Sequence, residues 1–149
     1  MKIEKISDIY EVLKGYTRKK RLVVAFANDS HSIEAVYMAV KAGLVEGILV
    51  GDTETIQGVC KENGYDESCF KIVHEPNDVR GAETAVEMIR NGEADVIMKG
   101  LVSTDKYMRA ILNKERGLVA PNAILSHVVV MECSSYHKLL TVSDVAVIP

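Results

Sequence analysis

The amino-acid sequence predicts an α/β fold with a mostly parallel sheet and helices on both of its faces. Short apolar segments rich in β-branched residues alternate four times with helical segments. Neighbouring parallel strands need a long crossover between them, and the intervening helices supply it. Near-continuous apolar strands suit a sheet that is covered on both faces. Near the end of the chain two apolar segments lack a helix between them, which predicts an antiparallel hairpin added to the parallel sheet.

The individual elements follow from apolar periodicity and from the residues that end each segment. The predicted helices cover residues 7–14, the stretch from the polar turn at 28–31 to about 42, 53–63 with Thr53 as its cap, 78–91 and 106–113. The predicted strands cover residues 21–27, 47–50, 70–74, 96–98, 124–131 and 139–142. A last apolar segment, Val145–Ile148, is expected to form a strand that further sequence or a partner covers.

Composition narrows the classes of function. The 149 residues suffice for one domain with a substantial core, and 48% apolar with 26% charged residues is typical of globular proteins. The net charge of −3 argues against a nucleic-acid partner, and the basic run Arg18–Arg21 is expected to be a solvated loop. No segment is long enough for a membrane span, and the start is charged where a signal peptide would be apolar. Three cysteines without metal-ligand spacing favour a reduced, cytoplasmic compartment and no metal site.

One stretch has the arrangement of an anion site: an apolar strand, a tight turn and a helix start, at residues 94–105. Lys99 follows the strand, Gly100 allows close backbone approach, and Ser103 and Thr104 stand where the helix begins. The first helical turn presents unpaired N–H groups and a favourable dipole to an anion. A purely structural interpretation stays open, with a hydroxyl as an ordinary cap, Gly100 serving the turn and Lys99 solvated. The stretch matches neither the phosphate loop nor the dinucleotide fingerprint.

Several blocks of sequence, in order along the chain, resemble the phosphate acetyl/butyryltransferase family and are nearest to its butyryl branch. The blocks are Ile48–Asp52, Gly92–Gly100, Ser103–Thr104, Arg109–Leu112, Leu125–Val128 and Lys138–Ala146. The family is about twice as long as this chain. Its serine-centred catalytic motif has no counterpart before Pro149, so the catalytic residues stay unassigned.

The resemblance implies a fold and a reaction. The family fold has two α/β/α domains around a cleft, of the isocitrate/isopropylmalate dehydrogenase kind, and residues 1–149 are expected to form a single α/β domain corresponding to the first part. The reaction transfers an acyl group from coenzyme A to inorganic phosphate and gives an acyl phosphate. Acyl-coenzyme A and phosphate would be substrates without a covalently bound cofactor, and the protein would be a homodimer or larger oligomer.

The resemblance also ranks the candidate residues. Lys99, Gly100, Ser103, Thr104 and Arg109 are the expected contacts to phosphate or substrate. For Arg109 an ion pair with Asp105, one helical turn earlier, is the alternative.

A second group of candidates is weaker. Ser126 and His127 interrupt an apolar strand, either as a buried hydrogen-bonded pair or as a polar pair beside the cleft. Asp144 matches a family acid, which either orients a cation or ends its strand.

Two other classes of function remain open on sequence alone. The chain could be a non-catalytic α/β fragment that folds or dimerises without turnover. A metal-dependent hydroxyacid dehydrogenase would share the related fold, but it needs clustered acids for a divalent metal, and the sequence shows no such cluster.

Overall fold

The computed structural model describes residues 2–144, so the predicted strand Val145–Ile148 lies outside the described residues. The described chain forms two compact units. The core unit comprises residues 18–118, and the end unit comprises residues 2–17 and 119–144. The elements are α1 (Ile6–Lys14), β1 (Lys20–Ala25), α2 (Ser30–Lys41), β2 (Val45–Gly51), α3 (Thr53–Asn63), a short 3₁₀ turn (Glu67–Cys69), β3 (Phe70–His74), α4 (Asp78–Arg90), β4 (Val96–Lys99), α5 (Thr104–Ile111), β5 (Val128–Met131) and β6 (Leu140–Ser143).

The core unit is built on one parallel sheet. Its strand order is β3-β2-β1-β4, and all three pairings are parallel. The chain therefore moves outward from β1 to β3 and then returns to place β4 on the other side of β1. This arrangement confirms the predicted α/β class and the parallel sheet.

Helices cover both faces of this sheet. Successive strand residues point to opposite faces, so Val23 and Val24 belong to different layers. Val24 and Leu49 pack with Ile33 of α2 and Ile56 of α3 in one buried cluster. On the other face α4 packs against β1 and β2 and contacts α5. Its buried residues include Ala82, Ala85 and Val86.

The helix boundaries differ from the sequence prediction in instructive ways. The cap of α3 is Asp52, whose Oδ1 accepts from the Thr55 N–H at 2.8 Å, so the prediction of Thr53 as cap is wrong. A carboxylate one position earlier reaches the first-turn N–H groups as well as a hydroxyl does. Helix α5 begins at Thr104, two residues before the predicted start, because Ser103 caps it.

The predicted hairpin is confirmed, but its place in the fold is not the expected one. Strands β5 and β6 pair antiparallel, with Val129 opposite Val142, and they form a two-stranded sheet of their own. Their ladder begins at Val128, so the predicted strand from Ile124 is too long. Local sequence signals the turn and the alternation, but it does not say which sheet a hairpin joins.

The helices in residues 2–144 all fall short of the length and apolar character that a membrane crossing requires. Among the same residues, no group of three or more His, Cys, Asp or Glu side chains is close enough together to hold a metal ion.

Candidate functional site

The carboxyl edge of the parallel sheet is the natural place for a ligand in this fold. The strand order reverses beside β1, and the helices that follow β1 and β4 go to opposite faces of the sheet. Loops that diverge in this way leave a crevice between them. The β4–α5 loop, residues 100–103, and the segment after β1 both lie at this edge of the sheet.

The β4–α5 loop lies directly against the end of β1. The Gly100 N–H donates to the Ala25 carbonyl at 3.0 Å, and the Leu101 N–H donates to the Phe26 carbonyl at 2.7 Å. A Cβ at Gly100 would lie 2.3 Å from the Phe26 carbonyl oxygen. Glycine is therefore required here by the approach of another backbone, whether or not a ligand is bound.

Phe26 is a residue of this site that sequence reasoning missed. Its φ is 64°, in the left-handed region that non-glycine residues seldom adopt. Gly81 of α4 lies against it, and a Cβ there would come within 3.2 Å of the Phe26 ring. The turned backbone presents the Phe26 carbonyl to Leu101 and so fixes the β4–α5 loop. An apolar residue in an apolar run gives no sequence signal for this conformation.

Ser103 and Thr104 stand at the start of α5. The Ser103 hydroxyl accepts from the Lys106 N–H at 3.3 Å, which is a cap of one N–H group. The first turn has further N–H groups without an intrahelical partner. Thr104 is the first helical residue, and both hydroxyl side chains are exposed. The helix start is therefore capped and still open to an acceptor from outside.

Lys99 is the last residue of β4 and lies directly before the β4–α5 loop. Its Nζ donates to the Val102 carbonyl at 2.7 Å and to the Gly100 carbonyl at 3.4 Å. These contacts hold the ammonium group over the β4–α5 loop although the residue as a whole is exposed. A positive charge thus lies next to the loop that leads into the positive end of the α5 dipole.

Arg109 makes the contact that the alternative interpretation predicted. Its Nε lies 3.2 Å from the Asp105 carboxylate, and both side chains are exposed. One turn nearer the helix start, Lys106 pairs with Asp78 of α4 at 2.6 Å and lowers the pKa of that carboxyl. The side chains of Arg109 and Lys106 both line a groove of about 1010 Å³ between α4 and α5. The structure therefore places Arg109 on the groove side of α5 and pairs it with its own helix.

Three further strand ends are tied together by polar contacts. The Asn28 side-chain oxygen accepts from the Asp52 N–H at 2.9 Å. The Thr53 hydroxyl lies 3.0 Å from Nδ1 of His74. Asn28 follows β1, Asp52 and Thr53 follow β2, and His74 is the last residue of β3, so these residues form a polar border at the carboxyl edge. Asp29 caps α2 through one carboxylate oxygen, and its other oxygen is buried without a partner among the described residues.

The remaining candidates belong to the end unit. Ser126 is exposed, so the first of the two interpretations, a buried hydrogen-bonded pair with His127, is wrong. His127 is half-buried, and its Nδ1 has no hydrogen-bond partner within residues 2–144. The Asp144 N–H donates to the His127 carbonyl at 2.8 Å. The structure thus joins His127 to Asp144 through the backbone and leaves the Ser126 side chain in solvent.

Comparison with known proteins gives a consistent result. Residues 80–149 match the family model described as Phosphate acetyl/butaryl transferase. The chain is 41% identical to phosphate butyryltransferase of Clostridium acetobutylicum over 97% of its own length and 47% of the relative. It is 33% identical to phosphate acetyltransferase of Thermotoga maritima over 93% of its length and 46% of the relative.

A solved structure agrees at the level of the fold. A phosphotransacetylase from Streptococcus pyogenes superposes with a TM-score of 0.68 at 18% identity, over 92% of this chain and 50% of that one. The chain spans about half the length of the curated relatives that it matches.

The fold and the candidate site define an α/β protein with an open helix start at the carboxyl edge of a parallel sheet. The sequence comparisons confirm the predicted resemblance to the phosphate acetyl/butyryltransferase family: residues 80–149 match its model, and the chain is 41% identical to a phosphate butyryltransferase of which it covers 47%.

Proposed function

We propose that this chain contributes one side of the substrate cleft of a phosphate acyltransferase. The reaction is attack of inorganic phosphate on the thioester carbonyl of acyl-coenzyme A, which gives an acyl phosphate and releases coenzyme A as the thiol. We propose butyryl or another short acyl chain, because the relative with 41% identity is a phosphate butyryltransferase. Coenzyme A acts as a substrate here, and no covalently bound cofactor is required.

The observation that carries this proposal is the β4–α5 loop. It combines the Lys99 ammonium group, the open first turn of α5 and the exposed hydroxyl groups of Ser103 and Thr104. A multiply charged phosphate is stabilised by cationic side chains and by N–H groups that point at it. The same groups suit the oxyanion that develops as the thioester carbonyl is attacked.

Arg109 has a secondary part in this proposal. Its side chain pairs with Asp105, so it can serve an anion only if that exposed pair opens. Exposed pairs one helical turn apart are worth about 0.3–0.5 kcal/mol, so opening costs little. We therefore propose Lys99, Gly100, Ser103 and Thr104 as the primary phosphate contacts. We propose Arg109 as a contact made on binding.

The proposal extends to the architecture of the whole protein. Residues 1–149 would correspond to the first part of a longer two-domain enzyme of the isocitrate/isopropylmalate dehydrogenase kind. That enzyme would be cytoplasmic and a homodimer or larger oligomer. Ser126, His127 and Asp144 would approach substrate only in that assembly.

Enzyme activity tests the proposal. A chimera joins this chain to the part of the clostridial relative that the chain does not match, and thiol release from butyryl-coenzyme A is followed with and without phosphate. We expect phosphate-dependent turnover of about 1 per second or faster from the chimera. The 149-residue chain alone should be slower by several orders of magnitude. When catalytic groups act as a unit, removing some of them loses most of the rate that the whole set provides. A folded chimera without phosphate-dependent turnover would contradict the proposal and would favour a non-catalytic role.

A further inference from the structure

Leu101 is an exposed apolar residue inside the candidate anion site. It lies in the β4–α5 loop between Gly100 and Ser103, and 56% of its surface is exposed, whereas its neighbour Val102 is buried. Consecutive Cα atoms are about 3.8 Å apart, so the Cα of Leu101 lies within about 8 Å of those of Gly100 and Ser103. A lone exposed leucine is common on protein surfaces, but this one shares a short stretch of backbone with the proposed phosphate contacts.

The backbone holds Leu101 at the apex of a tight turn. The Val102 N–H donates to the Gly100 carbonyl at 2.9 Å, which is the three-residue hydrogen bond of a γ-turn. The Leu101 N–H donates to the Phe26 carbonyl at 2.7 Å. The Lys99 ammonium group donates to the carbonyls of Gly100 and Val102, which flank the apex. Because the turn is already ordered, a ligand that contacts the leucine loses little affinity to ordering the loop.

The proposed reaction brings an acyl chain to this loop. The attacking phosphate oxygen stands about 3–3.5 Å from the thioester carbonyl carbon before the bond forms, and one oxygen atom joins them in the product. A phosphate at the start of α5 therefore fixes the first carbon of the acyl chain close to residues 100–103. The carbons further along the chain are apolar, and apolar surface that covers them stabilises them. Leu101 is the exposed apolar residue of this loop.

We propose that the Leu101 side chain contacts the acyl chain of the substrate and favours butyryl over acetyl groups. Leu101 would be a specificity-determining residue, because it binds a part of the substrate that does not react. The inference rests on the proposed function, since it requires phosphate at the β4–α5 loop. It adds a claim about chain length that phosphate binding alone does not make.

Titration of the 149-residue chain with two phosphonates tests this inference. Acetonylphosphonate and 2-oxopentylphosphonate are analogues of acetyl phosphate and butyryl phosphate in which a methylene group replaces the bridging oxygen, so that bond is not hydrolysed. A fully buried methylene raises affinity about fourfold, and one covered on a single side about twofold. The butyryl analogue has two more methylene groups, so it should bind about fourfold more tightly. Its terminal methyl group should give a nuclear Overhauser effect to the Leu101 methyl groups.

Three variants locate the source of this preference. Leu101→Ala should reduce it to less than about twofold and leave the affinity for inorganic phosphate unchanged, because the N–H groups of the loop remain. Leu101→Met keeps an apolar side chain of similar volume and should retain the preference. Leu112→Ala makes the matched change at the other end of α5, at a leucine with 48% exposure, and should also retain it.

The possible failures are distinguishable. Equal affinities for the two phosphonates, with phosphate shifts at Gly100 and Ser103, would overturn this inference and leave the proposed function standing. An undiminished preference in Leu101→Ala would also overturn it, because another surface would then bind the acyl chain. If neither phosphate nor a phosphonate shifted the amides of the β4–α5 loop, the anion site and the acyl contact would both be wrong.

Discussion

The ammonium group of Lys99 donates to the carbonyl oxygen of Val102 at 2.7 Å. This single contact spans the β4–α5 loop from the end of the strand to the residue before the helix cap. It also holds a positive charge where the sheet edge and the α5 dipole favour an anion. Several consequences can be measured.

Gly100 should be intolerant of a side chain. An alanine Cβ would meet backbone atoms of Ala25 and Phe26 at 2.3–2.9 Å, and backbone cannot move away as a flexible side chain can. We expect Gly100→Ala to lower the free energy of unfolding by about 1–3 kcal/mol in urea titrations. The matched control is Gly58→Ala in α3, where nothing lies within 4 Å of the new Cβ. It should be neutral or stabilising by up to about 1 kcal/mol.

Ser103 offers a way to separate capping from anion binding. Ser103→Ala should cost about 1 kcal/mol of unfolding free energy, because the Lys106 N–H loses its acceptor. Ser103→Asp should retain the cap and therefore the stability, while its negative charge weakens phosphate binding. Urea titration and phosphate titration of both variants check this pair of outcomes. Unchanged phosphate affinity in Ser103→Asp would place the anion away from the start of α5.

Substitutions in the exposed ion pair of Arg109 and Asp105 test whether Arg109 contacts phosphate. Arg109→Gln should change the free energy of unfolding by no more than about 0.5 kcal/mol, as exposed pairs usually do. Phosphate affinity should fall in Arg109→Gln and rise in Asp105→Asn, which releases the guanidinium. Opposite shifts in the two variants support a binding role. Equal affinities would leave Arg109 as a helix-surface ion pair.

The pair of Arg21 and Asp95 fixes β1 to the start of β4 and should make stability depend on pH. Three contacts of 2.9–3.2 Å join the Arg21 guanidinium and N–H to the carboxylate, and they lower the pKa of Asp95 well below its usual range. Since the folded pKa is depressed, the stabilisation is present above the ordinary carboxyl pKa and is lost as pH falls toward the folded value. Asp95→Asn should therefore lower the urea midpoint at neutral pH, and the difference should shrink in acid.

The control for this prediction is Glu93→Gln. Glu93 lies 3.8 Å from Lys71, and both side chains are about half exposed, so little change is expected at any pH. If the urea midpoint of Asp95→Asn stayed below that of the unsubstituted chain by the same amount from neutral to acid pH, the electrostatic explanation would be contradicted.

The parts of the fold that sequence predicted were those with a local cause. The apolar run at Val23 and Val24 and the glycine after α3 set the bounds of β1 and the end of α3 to within about two residues. The β4–α5 loop was also predictable, because a strand followed by a lysine, a glycine and a hydroxyl pair is a local pattern. Of the two hydroxyl residues named as possible caps, Ser103 is the one that caps α5, and Lys99 is the last residue of β4.

The parts that sequence did not predict depend on distant contacts. Phe26 has a positive φ, and Gly81 and Gly100, both far along the chain, lie so close to it that a side chain at either position would crowd it. The Lys99 side chain turns back to donate to the Val102 carbonyl. The sequence does not predict this contact, because it does not indicate which rotamer a long side chain adopts. A buried pair was one of the two interpretations of Ser126 and His127, but residues 124–127 precede the β5 ladder and have no strand opposite them.

Phosphate titration of the 149-residue chain, followed by backbone amide shifts at constant ionic strength, tests the anion site most directly. Shifts should concentrate at Gly100, Ser103 and Thr104, with chloride producing none of them. Lys99→Gln should weaken binding by about threefold or more. Lys61→Gln, in the last turn of α3, should leave it unchanged. Phosphate shifts confined to other loops, or equal affinity in Lys99→Gln, would contradict an anion site at the β4–α5 loop.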